Sequence, residues 1–431
     1  MKQHGPKMKH TINSDPATVM HIDLNSCFAT IEAQANRLLR GHPVGVAAYD
    51  TPKGFVLAAN YIAKSKGVKL GVNVAEAKIL CPGIIIMTPD PSKYREAHKR
   101  FRKVLLEYTS DVVPKSIDEF VVNLKGSPAL RSGLSMEQIG DQIKQQIYEQ
   151  IGEAVTVNIG IGPNRFLAKY AAGFNKPNGM TRIDASNLLN MYEGQDLTDL
   201  PGINVRYKKR LQDWGVMNPI DFLAADQILL KKQVFKSIVG YHWYMRLRGY
   251  EVDDYKTVRR SIGSQYSLGK KTRNIDELEC SLMKLCEKTG RRVRAAGCYG
   301  TGIHLYISFH TYRHTPDEPY VPSWHKGTKT PKRLYSTRDM YAAARALLQQ
   351  ADILTDVRLL AITIYGLEPC TPEQSELFED ERGLAANRRI SDAVDEINNR
   401  YGEYVISPAK MMDMNGEVLD RIAFGNVRDL E

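Results

Sequence analysis

Two acidic residues stand side by side in the run KSIDEFVV, residues 115–122, where Ile117, Phe120, Val121 and Val122 otherwise ask for a buried strand. Successive side chains of a strand point to opposite faces, so Asp118 and Glu119 cannot project equally from one face at regular geometry. One is expected to reach squarely into a site. The other is expected at its edge, at a bend or through a water. A third carboxylate, Asp23, lies in HIDLN on a second apolar stretch. Three carboxylates on two adjacent strands make a hard-oxygen site suited to magnesium, which accepts carboxylates, a backbone carbonyl, waters and phosphate oxygens. Two such ions about 4 Å apart can clamp the attacking and leaving oxygens of an in-line phosphoryl transfer. An isolated Asp-Glu pair is more often a salt-bridged pair on an edge strand, so the surrounding elements have to decide.

Those elements read as follows. ATVMHIDLNSCF is a buried strand running into the helix SCFATIEAQANRLL. HPVGVAAYD and GFVLAANY are short strands joined by a Pro-Gly turn. YIAKSKGVKLG is a helix stopped at Gly67 and Gly71, AEAKILCPG a short helix and IIIMTPD a buried strand. In SKYREAHKRFRKVLLEY, residues Tyr94, Phe101, Val104, Leu105 and Tyr108 share one helical face. After the acidic strand come the helix SMEQIGDQIKQQIYEQI, the strand VTVNIGIG and the helix NRFLAKYAAGFNKPNG with its Pro-Gly turn. This order predicts a mixed α/β core. Residues 184–250 read as short helices. From 259 to 368 the strands GIHLYISF and VRLLAITIYGL alternate with two long helical patterns, which predicts a separate α/β unit.

Bulk composition bounds the answer. A chain of 431 residues calls for roughly two to four domains. Hydrophobic content of 43% and charged content of 25% are ordinary for a globular protein. No apolar run is long enough to span a bilayer, and the polar start lacks the apolar core of a signal peptide. The six cysteines form no C-x-x-C pair, so a zinc site or disulfide framework is not expected and a reducing cytoplasm fits. The net charge of +10 is uneven. Residues 259–368 carry 18 Lys/Arg against 10 Asp/Glu, residues 369–431 carry 7 against 14, and residues 1–258 hold a net +9. A basic body suits a polyanion, and an acidic tail suits some other partner.

HIDLNSCFATIEAQ, LAANYIAKSKGVKLG, SIDEF, VNIGIGPNRFLAKYAAGFNKPNGM, LPGI and RRSIG follow one another in an order and spacing that resemble the Y-family translesion DNA polymerases of the DinB/UmuC-like branch. The resemblance covers about residues 18–368. It implies a multidomain α/β right-hand polymerase with a ferredoxin-like palm, small fingers, a helix-hairpin-helix thumb and an α/β little finger. Placed on this chain, these are an N-terminal arm (1–17), palm (18–26 and 87–183), fingers (27–86), thumb (184–250), linker (251–258), little finger (259–368) and acidic tail (369–431). The implied reaction is attack of a primer 3′-hydroxyl on the α-phosphate of a dNTP paired to template DNA. By position, the resemblance makes Asp23, Asp118 and Glu119 the carboxylates for two Mg²⁺ ions, with the Leu24 carbonyl as a further ligand. It assigns the bridging role to Asp118 and the edge role to Glu119. Phe28 falls at the steric gate, and the amides of Asn25, Ser26, Cys27 and Phe28 open a helix that can cradle phosphates. Tyr61 and Lys64, one helical turn apart, and Lys176 match the triphosphate-binding residues. Lys64 replaces the usual Arg, which keeps the charge but loses the bidentate fork. Phe55 and Leu57 lie on the strand that would roof the nascent base pair. Leu57 is bulkier than in many relatives, and Ala58 lacks a hydroxyl often found there.

DLPGINVRYKKRLQDWGV resembles the family's DNA-binding hairpin, with Gly202, Arg206, Lys208 and Lys209 placed for a phosphate. Asn204 stands where a second glycine is common and is expected to take the left-handed turn conformation. Arg259, Arg260, Lys270, Lys271 and Arg273 would track the primer–template backbone without reading sequence. The stretch HTYRHTPDEPYVPSWHKGTKTPKR reads as a long loop, solvated or touching DNA. In the tail, Gln374, Leu377 and Phe378 form Q-x-x-L-F, resembling the peptide by which bacterial polymerases dock on a sliding clamp. Beyond it, Ile390, Val394 and Ile397 have helical spacing, and YVISPAKMM looks strand-like. The expected protein is a monomer of the bacterial cytoplasm, associated with the nucleoid and not with a membrane. A two-metal nuclease and an inactive DNA-binding paralogue are the alternatives.

Overall fold

The computed structural model describes residues 12–255, 258–310, 323–353, 355–370, 381–412 and 414. The chain divides into two compact units at residues 255 and 256. No helix among the described residues is long and apolar enough to cross a membrane.

The strands of the first unit are β1 (Val19–Leu24), β2 (Val44–Ala47), β3 (Val56–Ala59), β4 (Ile85–Met87), β5 (Val112–Pro114), β6 (Glu119–Asn123), β7 (Val157–Gly162) and β8 (Met180–Arg182). Its main sheet has the order β5-β6-β1-β7-β8. β1 runs antiparallel to both β6 and β7. With the helices Pro91–Leu106 and Met136–Gln150 between β1 and β5 and between β6 and β7, this is the split βαββαβ of the ferredoxin-like arrangement. β8 adds a parallel edge strand to β7.

Strand alternation divides the sheet chemically. Met20, Ile22, Leu24, Phe120, Val122, Val157, Ile159 and Ile161 are buried in one core with Tyr94, Phe101, Val104, Leu105, Ile139, Ile143 and Ile147 of the two helices. Residues of the other parity, His21, Asp23, Glu119 and Asn158, face the opposite way. There the helix Arg165–Ala171 lies directly on β7 and β1. Gly160 permits that approach, because a Cβ at this position would collide with the backbone of Ala168 and Ala172.

A second sheet, β3-β2-β4, has its own small core of Val56, Ala59, Ala63, Val68, Ala77, Cys81 and Ile84. β4 is half-buried rather than buried, as befits an edge strand of a three-stranded sheet. Residues 183–247 pack as short helices around Tyr192, Phe222, Trp243 and Leu247, sharing a core with Phe166, Leu167 and Tyr170 of the helix on the main sheet.

The second unit is a four-stranded antiparallel sheet of β9 (Ser261–Thr272), β10 (Cys298–Phe309), β11 (Ser323–Leu334) and β12 (Val357–Pro369), in the order β11-β10-β12-β9. The helices Ile275–Ala295 and Thr337–Leu348 share its core. β11 corrects the expectation of a loop throughout 310–333. Its Lys326, Lys329, Pro331, Lys332 and Arg333 hide the strand signal, yet lysines and proline are what an edge strand carries to discourage further pairing.

The chain then forms a helix at Glu381–Tyr401 and a 3₁₀ turn at Ala409–Met411. YVISPAKMM contains no strand, contrary to expectation. Val405 and Ile406 are exposed there, while Met411 and Met414 enter the core of the second unit. Asp395 makes a two-pronged ion pair with Arg294 at 2.6 and 2.8 Å. Asp392 accepts from the Tyr335 hydroxyl at 2.5 Å, and Lys410 pairs with Glu279.

Candidate active site

Asp23 and Glu119 are cross-strand neighbours on β1 and β6, and Asn158 is the partner of Asp23 on β7. The three side chains therefore stand in a row on one face of the sheet. Asp118 is not in the strand, which corrects the reading of both acidic residues as strand positions. It occupies a bend just before β6, held by its carbonyl on the Leu24 N–H at 2.9 Å and by Ser116 Oγ on its Oδ1 at 2.5 Å. The bend explains how two adjacent carboxylates serve one site despite strand alternation.

Each carboxylate has its own partner. Lys176 Nζ pairs with Asp23. Lys169 Nζ donates to Glu119 at 2.8 Å, and His21 Nε2 lies 3.7 Å from the same carboxylate. Burial, reinforced by the charges of Asp23 and Glu119 and resisted by Ser116, pushes the Asp118 carboxyl up to about 6. Burial would also raise Glu119, but His21 and Lys169 outweigh it and hold that carboxyl down at about 2. Among the described residues no three His, Cys, Asp or Glu side chains are gathered as metal ligands. The donor set is nonetheless one of hard oxygens, and its member with the raised pKa is a half-buried carboxylate that a cation would relieve.

The cations on the other side of Asp23 form a second group. Tyr61 and Lys64 lie on the helix Tyr61–Ser65, with Lys64 Nζ 4.6 Å from the Tyr61 ring centroid and donating to Ser26 Oγ at 2.8 Å. Burial and the neighbouring Lys176 charge lower the Lys64 pKa. Burial works against the Lys176 charge too, but Asp23 raises its pKa overall. Two ammonium groups this close are receptive to a polyanion. Asn25 has its backbone N–H on Thr156 O at 2.9 Å, so it adds no free amide to a phosphate cradle and contributes through its side chain instead. Ser26 precedes the helix Cys27–Ala35 in the left-handed conformation, with φ 50°. Cys27 and Phe28 are buried, and the Phe28 ring stacks on Tyr94 at 4.2 Å. Phe55 lies just before β3 rather than in it, bridged to Asn73, and is exposed, while Leu57 within β3 packs against the main core.

Sequence reasoning missed His21, Asn158 and Lys169. Each left a signal, since each is a polar residue inside an otherwise apolar stretch: VMHI, VTVN and RFLAKYAA.

The impB/mucB/samB family matches residues 22–173, and its C-terminal domain matches residues 259–377. A DNA polymerase IV of Moorella thermoacetica is 33% identical over 92% of this chain and 96% of its own. One from Pelotomaculum thermopropionicum is 32% identical over 94% and 97%. This chain belongs to the Y-family of DNA polymerases. The Y-family fold is also seen in a solved chimera of Dbh and Dpo4, with a TM-score of 0.68 and 23% identity over 81% of this chain and 99% of that one. The protein is a DNA-directed DNA polymerase of the translesion class.

The polymerase's expected DNA contacts are placed as follows. Gly202 takes the left-handed turn, with φ +99°. Asn204 does not, which corrects the expectation for it. Its φ is −97°, and its side chain caps the helix Val205–Gln212 by accepting from the N–H groups of Arg206 and Tyr207 at 3.1 and 2.9 Å. Lys208 is tied to Asp196 at 2.5 Å, and Lys209 continues the same helix. In the second unit, Arg259 and Arg260 precede β9, Lys270 and Lys271 lie near its end, and Arg273 follows it. Lys271 Nζ is 3.0 Å from His310 Nε2, and Lys270 is 3.5 Å from Glu277. Gln374, Leu377 and Phe378 lie outside the described residues.

Proposed function

We propose that this polymerase adds dNTPs to a primer 3′-end by two-metal nucleotidyl transfer centred on Asp23, Asp118 and Glu119. The observation that carries the reading is the pair of carboxylates, Asp23 and Glu119, on one sheet face, with Asp118 beside it and Lys64 and Lys176 adjoining. Asp23, Asp118, Glu119 and the Leu24 carbonyl would hold two Mg²⁺ ions, which supply charge neutralisation for the attacking and leaving oxygens. Lys176, paired with Asp23 here, would be free to meet the triphosphate once a cation neutralised that carboxylate. Lys64 and the Tyr61 hydroxyl meet the same phosphates, and the helix start at Ser26, Cys27 and Phe28 adds its dipole. Phe28, braced by Tyr94, closes the space below the sugar, and Phe55 and Leu57 cover the nascent base pair. Positioning and charge stabilisation do the work, and no covalent catalyst is needed.

The domain boundaries set out from the sequence are part of the same reading. The thumb hairpin around Gly202, Arg206, Lys208 and Lys209 and the basic set from Arg259 to Arg273 hold DNA by its backbone, with affinity that salt weakens steeply. Gln374, Leu377 and Phe378 dock on a sliding clamp. The enzyme works as a monomer on nucleoid DNA in the bacterial cytoplasm.

Primer extension with dNTPs and Mg²⁺ tests the centre. Asp118→Ala or Glu119→Ala should lower synthesis on the order of a hundred- to a thousandfold or more while retaining primer–template binding. Retained synthesis would reject these residues as the metal carboxylates. Shortening of the primer by the wild type in place of extension would favour the nuclease alternative.

A further inference from the structure

Asn158 is buried, and its amide is fully used. Its Nδ2 donates to the carbonyls of Phe174 at 2.8 Å and Ala172 at 3.3 Å. Its Oδ1 accepts from the Gly179 N–H at 3.0 Å and from Asn25 Nδ2 at 3.2 Å. Carbonyls only accept and a backbone N–H only donates, so the amide can face just one way. Asn158 thus satisfies carbonyls left open at the end of the helix Arg165–Ala171 and pins the far end of the loop at Gly179. Between those pins the chain passes through left-handed Asn175 and Asn178, and Lys176 projects to Asp23.

Asn25 extends the same network. Its Oδ1 accepts from the Asn178 N–H at 2.9 Å and from Thr156 Oγ1 at 3.0 Å, and its Nδ2 also reaches the Tyr61 hydroxyl at 3.4 Å. One buried amide pair therefore joins β1 and β7 to the loop of Lys176 and to the helix of Tyr61.

We propose that Asn158 is a positioning residue for nucleotide binding: its amide sets the loop that carries Lys176 and, through Asn25, the place of the Tyr61 hydroxyl. This rests on the reading of Lys176 and Tyr61 as triphosphate contacts. A bent loop held at both ends presents Lys176 with little orientational freedom. Without Asn158 the lysine remains but its position is no longer set.

Steady-state single-nucleotide insertion tests this, with primer–template affinity measured in parallel. Asn158→Ala should raise the KM for dNTP on the order of tenfold, lower kcat less, and leave primer–template Kd unchanged. Lys176→Ala should raise the KM as well, and adding Asn158→Ala to it should bring a smaller increase than Asn158→Ala brings in the wild type, because the part that acts through Lys176 is already gone and only the part through Tyr61 remains. Asn158→Ser, which keeps a short donor, should fall between wild type and Asn158→Ala, and it serves as the test variant if the alanine variant folds poorly. Equal losses in KM, kcat and DNA affinity would overturn the proposal in favour of a general structural role, as would fully additive effects with Lys176→Ala. An unchanged KM in Lys176→Ala alone would overturn the triphosphate reading itself, and the positioning role with it.

Discussion

At pH 7 the half-buried Asp118 carboxylate is largely ionised beside two other carboxylates, although burial and those charges have pushed its pKa up to about 6. An acid whose pKa is raised on folding penalises the folded state at high pH, and the penalty fades as pH falls through the folded value toward the unfolded one. A rise from 3.8 to about 6 corresponds to at most about 3 kcal/mol. Asp118→Asn should therefore raise the Tm of the metal-free protein at pH 8, with the gain vanishing near pH 4. Glu119 has the opposite sign: its lowered pKa adds stability above pH 4.5 that is lost as pH falls toward about 2. Calorimetry in a chelating buffer from pH 4 to 8 checks the first expectation, and a Tm gain independent of pH would refute it. Mg²⁺ and the proton compete for the same group, so wild-type synthesis should need more Mg²⁺ as pH drops below 6. Phe28 is a separate residue-scale case. Its ring is fixed by stacking on Tyr94 rather than free to swing aside. Phe28→Ala should increase ribonucleotide insertion by tenfold or more, and a competition assay of rNTP against dNTP showing unchanged sugar selectivity would reject the gate.

Among the elements, the thumb hairpin shows where local chemistry decides the fold. Gly202 carries the left-handed turn, and a Cβ there would meet the Trp243 ring at 3.4 Å. Asn204 supplies the cap of the following helix. Asn204→Ala should cost about 1 kcal/mol of thumb stability, and Gly202→Ala about 1 kcal/mol or more from its backbone alone. Both should weaken DNA binding measured by fluorescence anisotropy, and unchanged affinity in both variants would remove the hairpin from the DNA interface. Asn204 also shows what a sequence leaves open. Asparagine suits a left-handed turn and a helix cap equally, and here its φ of −97° makes it the cap. Strands such as VMHIDL and VNIGIG were readable, because they are buried along nearly their whole length and so stand out as short, mostly apolar runs. β11 was not, because an edge strand facing solvent has no such pattern to show. The carboxylates and the Lys176 turn were legible from motif and spacing. The bend at Asp118 and the Asn25–Asn158 pair were not, since both depend on contacts between segments more than a hundred residues apart or on a local break in a strand pattern.

On the scale of the whole chain, the acidic tail is the largest departure from what composition suggested. A net of −7 over residues 369–431 suits a partner outside the chain. Instead, Asp395 neutralises Arg294, whose side chain is 3% exposed, and Lys410 joins Arg345 on Glu279, which is 5% exposed. Met411 and Met414 complete the core beside Leu278, Leu282 and Leu285. Removing one partner of a buried ion pair costs about 3–5 kcal/mol, because the other charge is left in a poor solvent. A chain ending at residue 380 should therefore lose stability in the second unit by on the order of 10 °C. The same truncation keeps Gln374, Leu377 and Phe378, and a chain ending at residue 370 removes them. If the clamp reading is right, clamp-stimulated synthesis at a temperature where both variants are folded should survive the first truncation and fail in the second. Differential scanning calorimetry and primer extension with and without clamp separate the two roles. An unshifted transition would refute the structural role of the tail, and clamp stimulation that persists in the shorter chain would refute the docking role of Gln374–Phe378.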